Sequence, residues 1–232
     1  MTKEINRNGD ARDEFHDVYI QIMDAIVTQK LAPGQKVSEN IFADMFGISR
    51  SIARNLMERL TAKHFLVSIS PRVTLVAPLT LMEIKQNFVL RKILLPEVFA
   101  LAAPNADYPA LMELVDKIEN MLPIENDQVA LDVLKANKKL NLEIVKKAGY
   151  PLVLDWVEQL EDTAMRIYWL YTKINNSFFY SREQMEMAIS VMKNDEPGRT
   201  RKVMQDLLMQ TEDRILNTLF SQEQFYTQNL KV

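Results

Sequence analysis

With 232 residues, 47% of them hydrophobic and 25% charged, the chain has the composition of a globular protein of one large or two ordinary domains. It has no cysteine, which excludes disulfide frameworks, thiolate metal sites and cysteine nucleophiles, and only His16 and His64 could supply imidazole. The net charge of -3 argues against indiscriminate nucleic-acid binding. No apolar run approaches the roughly 18 residues of a spanning helix, and the polar start lacks a signal peptide's apolar core, so a soluble cytoplasmic protein without a membrane partner is expected.

Residues 1–10 are polar and are expected to be disordered. From Ala11 to Gln29, Phe15, Val18, Tyr19, Ile22 and Ile26 fall on one helical stripe. Pro33 and Gly34 then stop the helix. Ser38 is a good N-cap for a short second helix through Ile41, Phe42 and Met45. Gly47 breaks it, and Ser49 caps a third helix to about Lys63 with Ile52, Leu56 and Leu60 buried. Two short β-rich runs, Phe65 to Ile69 and Val73 to Val76, flank Ser70-Pro71-Arg72 and predict a two-stranded wing. The expected N-terminal domain, residues 11–76, is a winged helix-turn-helix.

The distribution of charge sharpens this. Between Arg50 and Arg72 stand five basic residues (Arg50, Arg54, Arg59, Lys63, Arg72) against the single acid Glu58, a local balance of +4. The third helix leaves Arg50, Ser51 and Arg54 outward at its first turn, a presentation suited to a DNA major groove.

After a linker at residues 77–80, no convincing strand remains. Thr80 caps a long helix carrying Leu81, Ile84, Phe88, Ile93 and Leu95, which Pro96 kinks or restarts. Pro104 and Pro109 bracket a loop. Further helices are expected from Leu111 to Leu122, Asp127 to Ala148, Pro151 to Lys173, Ser181 to Lys193 and Pro197 to Phe220, with breaks at proline, glycine and asparagine clusters. Residues 81–222 thus read as an all-α bundle of six or seven helices, mainly apolar inside, followed by a tail at 223–232. The thirteen methionines suit an adaptable interior. The aromatic group between Trp156 and Tyr180 reads as core or dimer interface before pocket wall.

The phrase Leu31-Ala32-Pro33-Gly34-Gln35-Lys36-Val37-Ser38-Glu39, followed by Ala43 to Arg54 with its Gly47-Ile48-Ser49-Arg50, resembles the N-terminal module of the GntR family of bacterial transcription regulators. Arg91 with Ala100 to Ala103, the Ala148-Gly149-Tyr150-Pro151 turn and the closing helices look like the ligand-sensing FCD domain of its FadR-like branch. The resemblance implies that Arg50 and Arg54 reach the major groove, with Ser49 and Ser51 on phosphates or base edges, Asn40 near the backbone and Arg72 of the wing at the minor groove. An Arg holding guanine O6 and N7 contributes about 1–3 kcal/mol of discrimination, whereas hydroxyls at a helix start mainly fix register. The wing departs from the family pattern, having Pro71-Arg72-Val73 where a glycine is usual.

The resemblance also implies a divalent metal held by one Asp and three His. On that pattern the positions fall on Asn137, Asn141 and Gln184, with Asp206 closest to the last His. Amides are weak neutral ligands, so no bound transition metal and no cofactor is expected. The polar group Asn137, Asn141, Gln184 and Asp206 is instead a candidate ligand site, with Arg91 and Arg166 as candidates to receive an anionic group.

The expected function is a ligand-responsive, homodimeric transcription regulator on a pseudo-palindromic double-stranded DNA operator, with a small-molecule effector, an organic acid among the candidates. The other reading keeps DNA binding and leaves the helical domain to dimerise only. An enzyme is not expected: there is no nucleophile elbow, phosphate-cradling glycine loop or recognisable carboxylate pair.

Overall fold

A computed structural model describes residues 4–194 and 197–221, with side chains from Phe15 onward. The chain divides into two compact units between Pro78 and Leu79. The expected tail at 223–232 lies outside the described residues.

The first unit is a winged helix. Helix α1 (Glu4–Val27) carries Val18, Tyr19, Ile22 and Ile26 into the core, as the sequence stripe predicts. It starts earlier than expected: residues 4–10 are helical, not disordered. Elongating an anchored helix adds one hydrogen bond per residue fixed, so polar residues can extend it where they could not nucleate it. Helix α2 (Glu39–Phe46) is capped by Ser38, whose side chain accepts from the Ile41 N–H, and is closed by Gly47 at φ 66°. That left-handed conformation is the reason a glycine punctuates the chain there.

Helix α3 (Arg50–Ala62) follows, capped by Ser49 and burying Ala53, Leu56 and Leu60. Ala53, rather than Ile52, is the fully buried residue of its first turns; Ile52 packs only at the edge of the same core. Behind α3, β2 (Leu66–Ser70) and β3 (Val73–Val76) form the wing, paired antiparallel with an irregularity between Ser68 and Ser70. A strand absent from the sequence reading, β1 (Lys36–Val37), adds to the far edge of β3, giving the order β1-β3-β2. Two residues are too few to show a periodicity; this strand exists only through its long-range pairing with Thr74 and Leu75.

The second unit is all helix: α4 (Leu81–Ala102), α5 (Tyr108–Glu119), α6 (Asp127–Lys146), α7 (Pro151–Asn175), α8 (Arg182–Lys193) and α9 (Pro197–Phe220). The starts of α4 and α8 are fixed by capping boxes, Thr80 with Glu83 and Ser181 with Gln184. Six α-helices match the expected bundle, and two local expectations change. Helix α4 runs through Pro96 without ending, because packing of Leu95, Pro96, Val98 and Phe99 in the core offsets the lost ladder bond. Pro109 lies in the first turn of α5, where a missing N–H costs nothing, behind the N-cap Asp107. Ile93, one of the apolar residues carried by α4, is 63% exposed.

Helix α4 packs along α9 and against α6 and α7 with Ile84, Phe88, Arg91, Leu95 and Val98. Its opposite face exposes Met82, Val89, Leu90, Ile93 and Leu101. At about 100° per residue these five form one stripe, so α4 is apolar on both sides.

Candidate nucleic-acid interface and candidate ligand cavity

At the start of α3, Ser49, Arg50, Ser51 and Arg54 are all exposed. The Ser49 hydroxyl accepts from the Ile52 N–H at 3.3 Å and lies 2.9 Å from that of Ser51. Ser49 is thus occupied in capping, with its own proton shared with Ser51 or free for an outside acceptor. Arg50 is exposed at the first helical position.

Arg54 is held. Its Nε donates to Glu39 Oε1 at 2.7 Å and its Nη2 to Oε2 at 3.2 Å, a bidentate pair linking α3 to the first residue of α2. The hydrogen bond lowers the Glu39 pKa and raises that of Arg54, each group's largest cause being the other. Glu39 is a residue that the sequence reading did not single out. The partners are fifteen positions apart, so no local spacing announces them. Asn40 is exposed beside Glu39 on α2, and Arg72 is exposed at the wing tip, its N–H donating to Ser70 Oγ at 3.4 Å. On the inner side, the Arg59 guanidinium lies 4.4 Å from the centre of the Tyr19 ring, tying α3 to α1.

In the helical unit the six expected ligand residues separate into two groups. Asn137, Asn141 and Gln184 line one cavity of about 40 Å³, with Tyr180 before α8, Phe99 of α4 and apolar residues of α6, α8 and α9 completing it. Arg91, Arg166 and Asp206 do not line it. Asp206 is exposed on α9 and faces Lys202 at 3.7 Å, an i, i+4 pair on the outer surface. Arg166 is buried on α7, its pKa lowered to about 10 by burial against the opposing charge of Glu83.

Arg91 is 1% exposed and donates through Nη1 to Glu161 Oε1 at 2.7 Å. Burial works against its charge, yet the Glu161 carboxylate more than compensates and its pKa is raised. The same Glu161 oxygen accepts from Asn141 Nδ2 at 3.0 Å, and the Tyr168 ring lies 5.6 Å from the guanidinium carbon. The anion expected for Arg91 is therefore supplied within the chain, from α7. Asn87, one turn earlier on α4, donates to the Leu160 carbonyl at 3.0 Å.

Of the cavity amides, Gln184 Oε1 accepts from the Ser181 N–H at 3.0 Å in the capping box. Asn137, 3% exposed, has no side-chain hydrogen bond among the described residues. Tyr180 is bonded to Thr211, and burial raises its pKa. Most of the aromatic group is core: Tyr168, Trp169, Tyr171, Phe178 and Phe179 are buried, with Tyr168 and Phe179 4.0 Å between centroids. Trp156 is 51% exposed. Among the described residues no group of three His, Cys, Asp or Glu could hold a metal ion, and no helix is long and apolar enough to cross a membrane.

The fold is a winged helix-turn-helix joined to an all-helical unit, the architecture of solved GntR-type regulators. The chain is similar to the Escherichia coli protein McbR/YncC, with a TM-score of 0.73 and 19% identity over 88% of this chain and 97% of that one. It is also similar to a GntR transcriptional regulator from Rhodococcus sp. RHA1 (TM-score 0.67, 15% identity, 88% and 98% covered). A GntR family member from Pseudomonas syringae pv. tomato matches at a TM-score of 0.52 and 19% identity, with 90% and 88% covered. No known protein family's sequence profile and no curated protein matches the chain.

Proposed function

We propose that the protein is a DNA-binding transcription regulator of the GntR type, FadR-like branch, acting as a homodimer on a pseudo-palindromic operator and responding to a small molecule in its helical unit. The observation that carries the reading is the start of α3: Arg50, Ser51 and Arg54 exposed together on the second helix of a helix-turn-helix, within a stretch of local charge +4. Arg50 and Arg54 take base edges, Ser49, Ser51 and Asn40 fix register on phosphates, and Arg72 extends the contact from the wing. Convergence of Asn137, Asn141 and Gln184 on one cavity supports the FadR-like branch, since these positions carry metal ligands in the resembling domain.

The exposed stripe on α4 supports the homodimer. An extended apolar face that its own chain does not cover marks an association surface, and in a symmetric pair each copy covers the other's. Ile93→Asp then converts the dimer to monomer in sedimentation and weakens DNA binding, because two half-sites are no longer held by one molecule. The small size of the cavity, about 40 Å³, favours a second reading in which the helical unit dimerises without sensing.

The test of DNA recognition is selection from a random double-stranded pool with the full-length protein. Enrichment of an inverted repeat, lost on Arg50→Ala, is the expected result; failure to enrich any motif would overturn the assignment.

A further inference from the structure

Building on the reading of the helical unit as a sensor, the chemistry of the cavity names the class of molecule it accepts. Every polar group that lines it is neutral: the amides of Asn137, Asn141 and Gln184 and the phenol of Tyr180. No Lys, Arg, His, Asp or Glu lines it among the described residues.

The nearest linked cation does not help an anion. Arg91 is matched by Glu161, and Asn141 donates to the same Glu161 oxygen while lining the cavity. A carboxylate entering on that side approaches Asn141 with Glu161 directly behind it, and must leave water for a wall of amides and thioethers. A cation fares no better, since Glu161 is already balanced by a guanidinium at 2.7 Å. Desolvating either charge without a partner outweighs what neutral dipoles return.

What the cavity does offer is unspent hydrogen bonding. Asn137 is 3% exposed and its amide has no protein partner among the described residues, so it presents both a donor and an acceptor. Asn141 has spent an N–H on Glu161 and keeps its oxygen; Gln184 has spent its oxygen on Ser181 and keeps its NH2. These groups open on the cavity, where a bound molecule can answer them. Met185, Met192 and Met204 also line it, and their rotatable thioether chains can swing aside for an alkyl group larger than the present 40 Å³.

We propose that this cavity binds an uncharged organic molecule with an apolar body and one end that both donates and accepts hydrogen bonds, a primary amide or an alcohol, and that Asn137 is the residue that reads that end. This replaces the organic acid suggested by the sequence.

Matched probes test the charge directly: butanamide and hexanamide against butanoate and hexanoate, with the full-length protein, read by thermal shift and calorimetry. At tenfold excess over its Kd an amide raises Tm by about 3–6 °C, and the carboxylate of equal length does not. Asn137→Leu weakens amide binding about two- to tenfold. Equal or tighter binding of the carboxylates, silence from all four probes, or unchanged amide affinity in Asn137→Leu would each overturn the proposal. Measuring DNA affinity in the same samples separates the two readings. Amide binding that leaves DNA affinity unchanged supports the cavity chemistry and removes the sensor role. Carboxylate binding that alters DNA affinity keeps the sensor role and removes this proposal.

Discussion

The two units treat charge in opposite ways. At the start of α3, Arg50 is left in water and Arg54 is steadied by an exposed pair with Glu39. In the helical unit Arg91 is buried to 1% with Glu161 beside it. An exposed Arg keeps its hydrogen-bonding capacity for an outside partner, whereas the charge of a buried one needs a counter-charge within the chain, supplied to Arg91 through Nη1. The same residue type is thus a probe on one side and a structural rivet on the other, and only burial tells them apart.

The largest test of that contrast is Arg91→Ala, which strands the Glu161 carboxylate and should cost the helical unit about 3–5 kcal/mol in denaturant unfolding. Replacing both partners, Arg91→Met with Glu161→Leu, should recover most of the loss. If Arg91→Ala were tolerated, the rivet description would fail. Next in size, Arg50→Ala should leave folding intact and cut discrimination between the selected DNA and a base-substituted copy by roughly 5- to 150-fold. Lys63→Ala, by comparison, should weaken all sequences alike and reduce the salt slope by about one.

The smallest expected effect is at Glu39. Its pKa is lowered by Arg54, so the contribution of the pair is present above the ordinary carboxylate range and is lost as pH falls through the lowered value. Glu39→Gln should leave stability nearly unchanged at neutral pH and flatten the acid side of the DNA-affinity profile. An acid limb identical to that of the parent protein would show that Arg54 needs no steadying.

These residues also mark how far the sequence could be read. Helix-turn-helix and wing were legible because Ser38, Gly47 and Ser49 are local punctuation, and caps act over three or four residues. Strand β1 and the Glu39–Arg54 pair were hidden because their partners lie far away in sequence. In the helical unit, the gathering of Asn137, Asn141 and Gln184 followed from the resemblance, and the neutralisation of Arg91 did not. Glu161 sits among Asp155, Glu158 and Asp162 on one long helix, and nothing in its spacing marks it as the carboxylate that meets Arg91. The burial of Ile93 was not legible for a related reason: an apolar residue on a helix with two apolar faces does not say which face its own chain covers.

The double duty of Gln184 has a consequence for the metals the site could be made to hold. Its oxygen completes the cap of α8 while its nitrogen is left to the cavity. An imidazole at this position forfeits that oxygen and with it part of the roughly 0.5–2 kcal/mol typical of a helix cap. With Asn137 and Asn141 also lacking imidazole or carboxylate, one substitution toward a metal site would incur the loss before any ion could repay it. A metal site here needs several simultaneous changes, so the cap of α8 holds the cavity to amide chemistry.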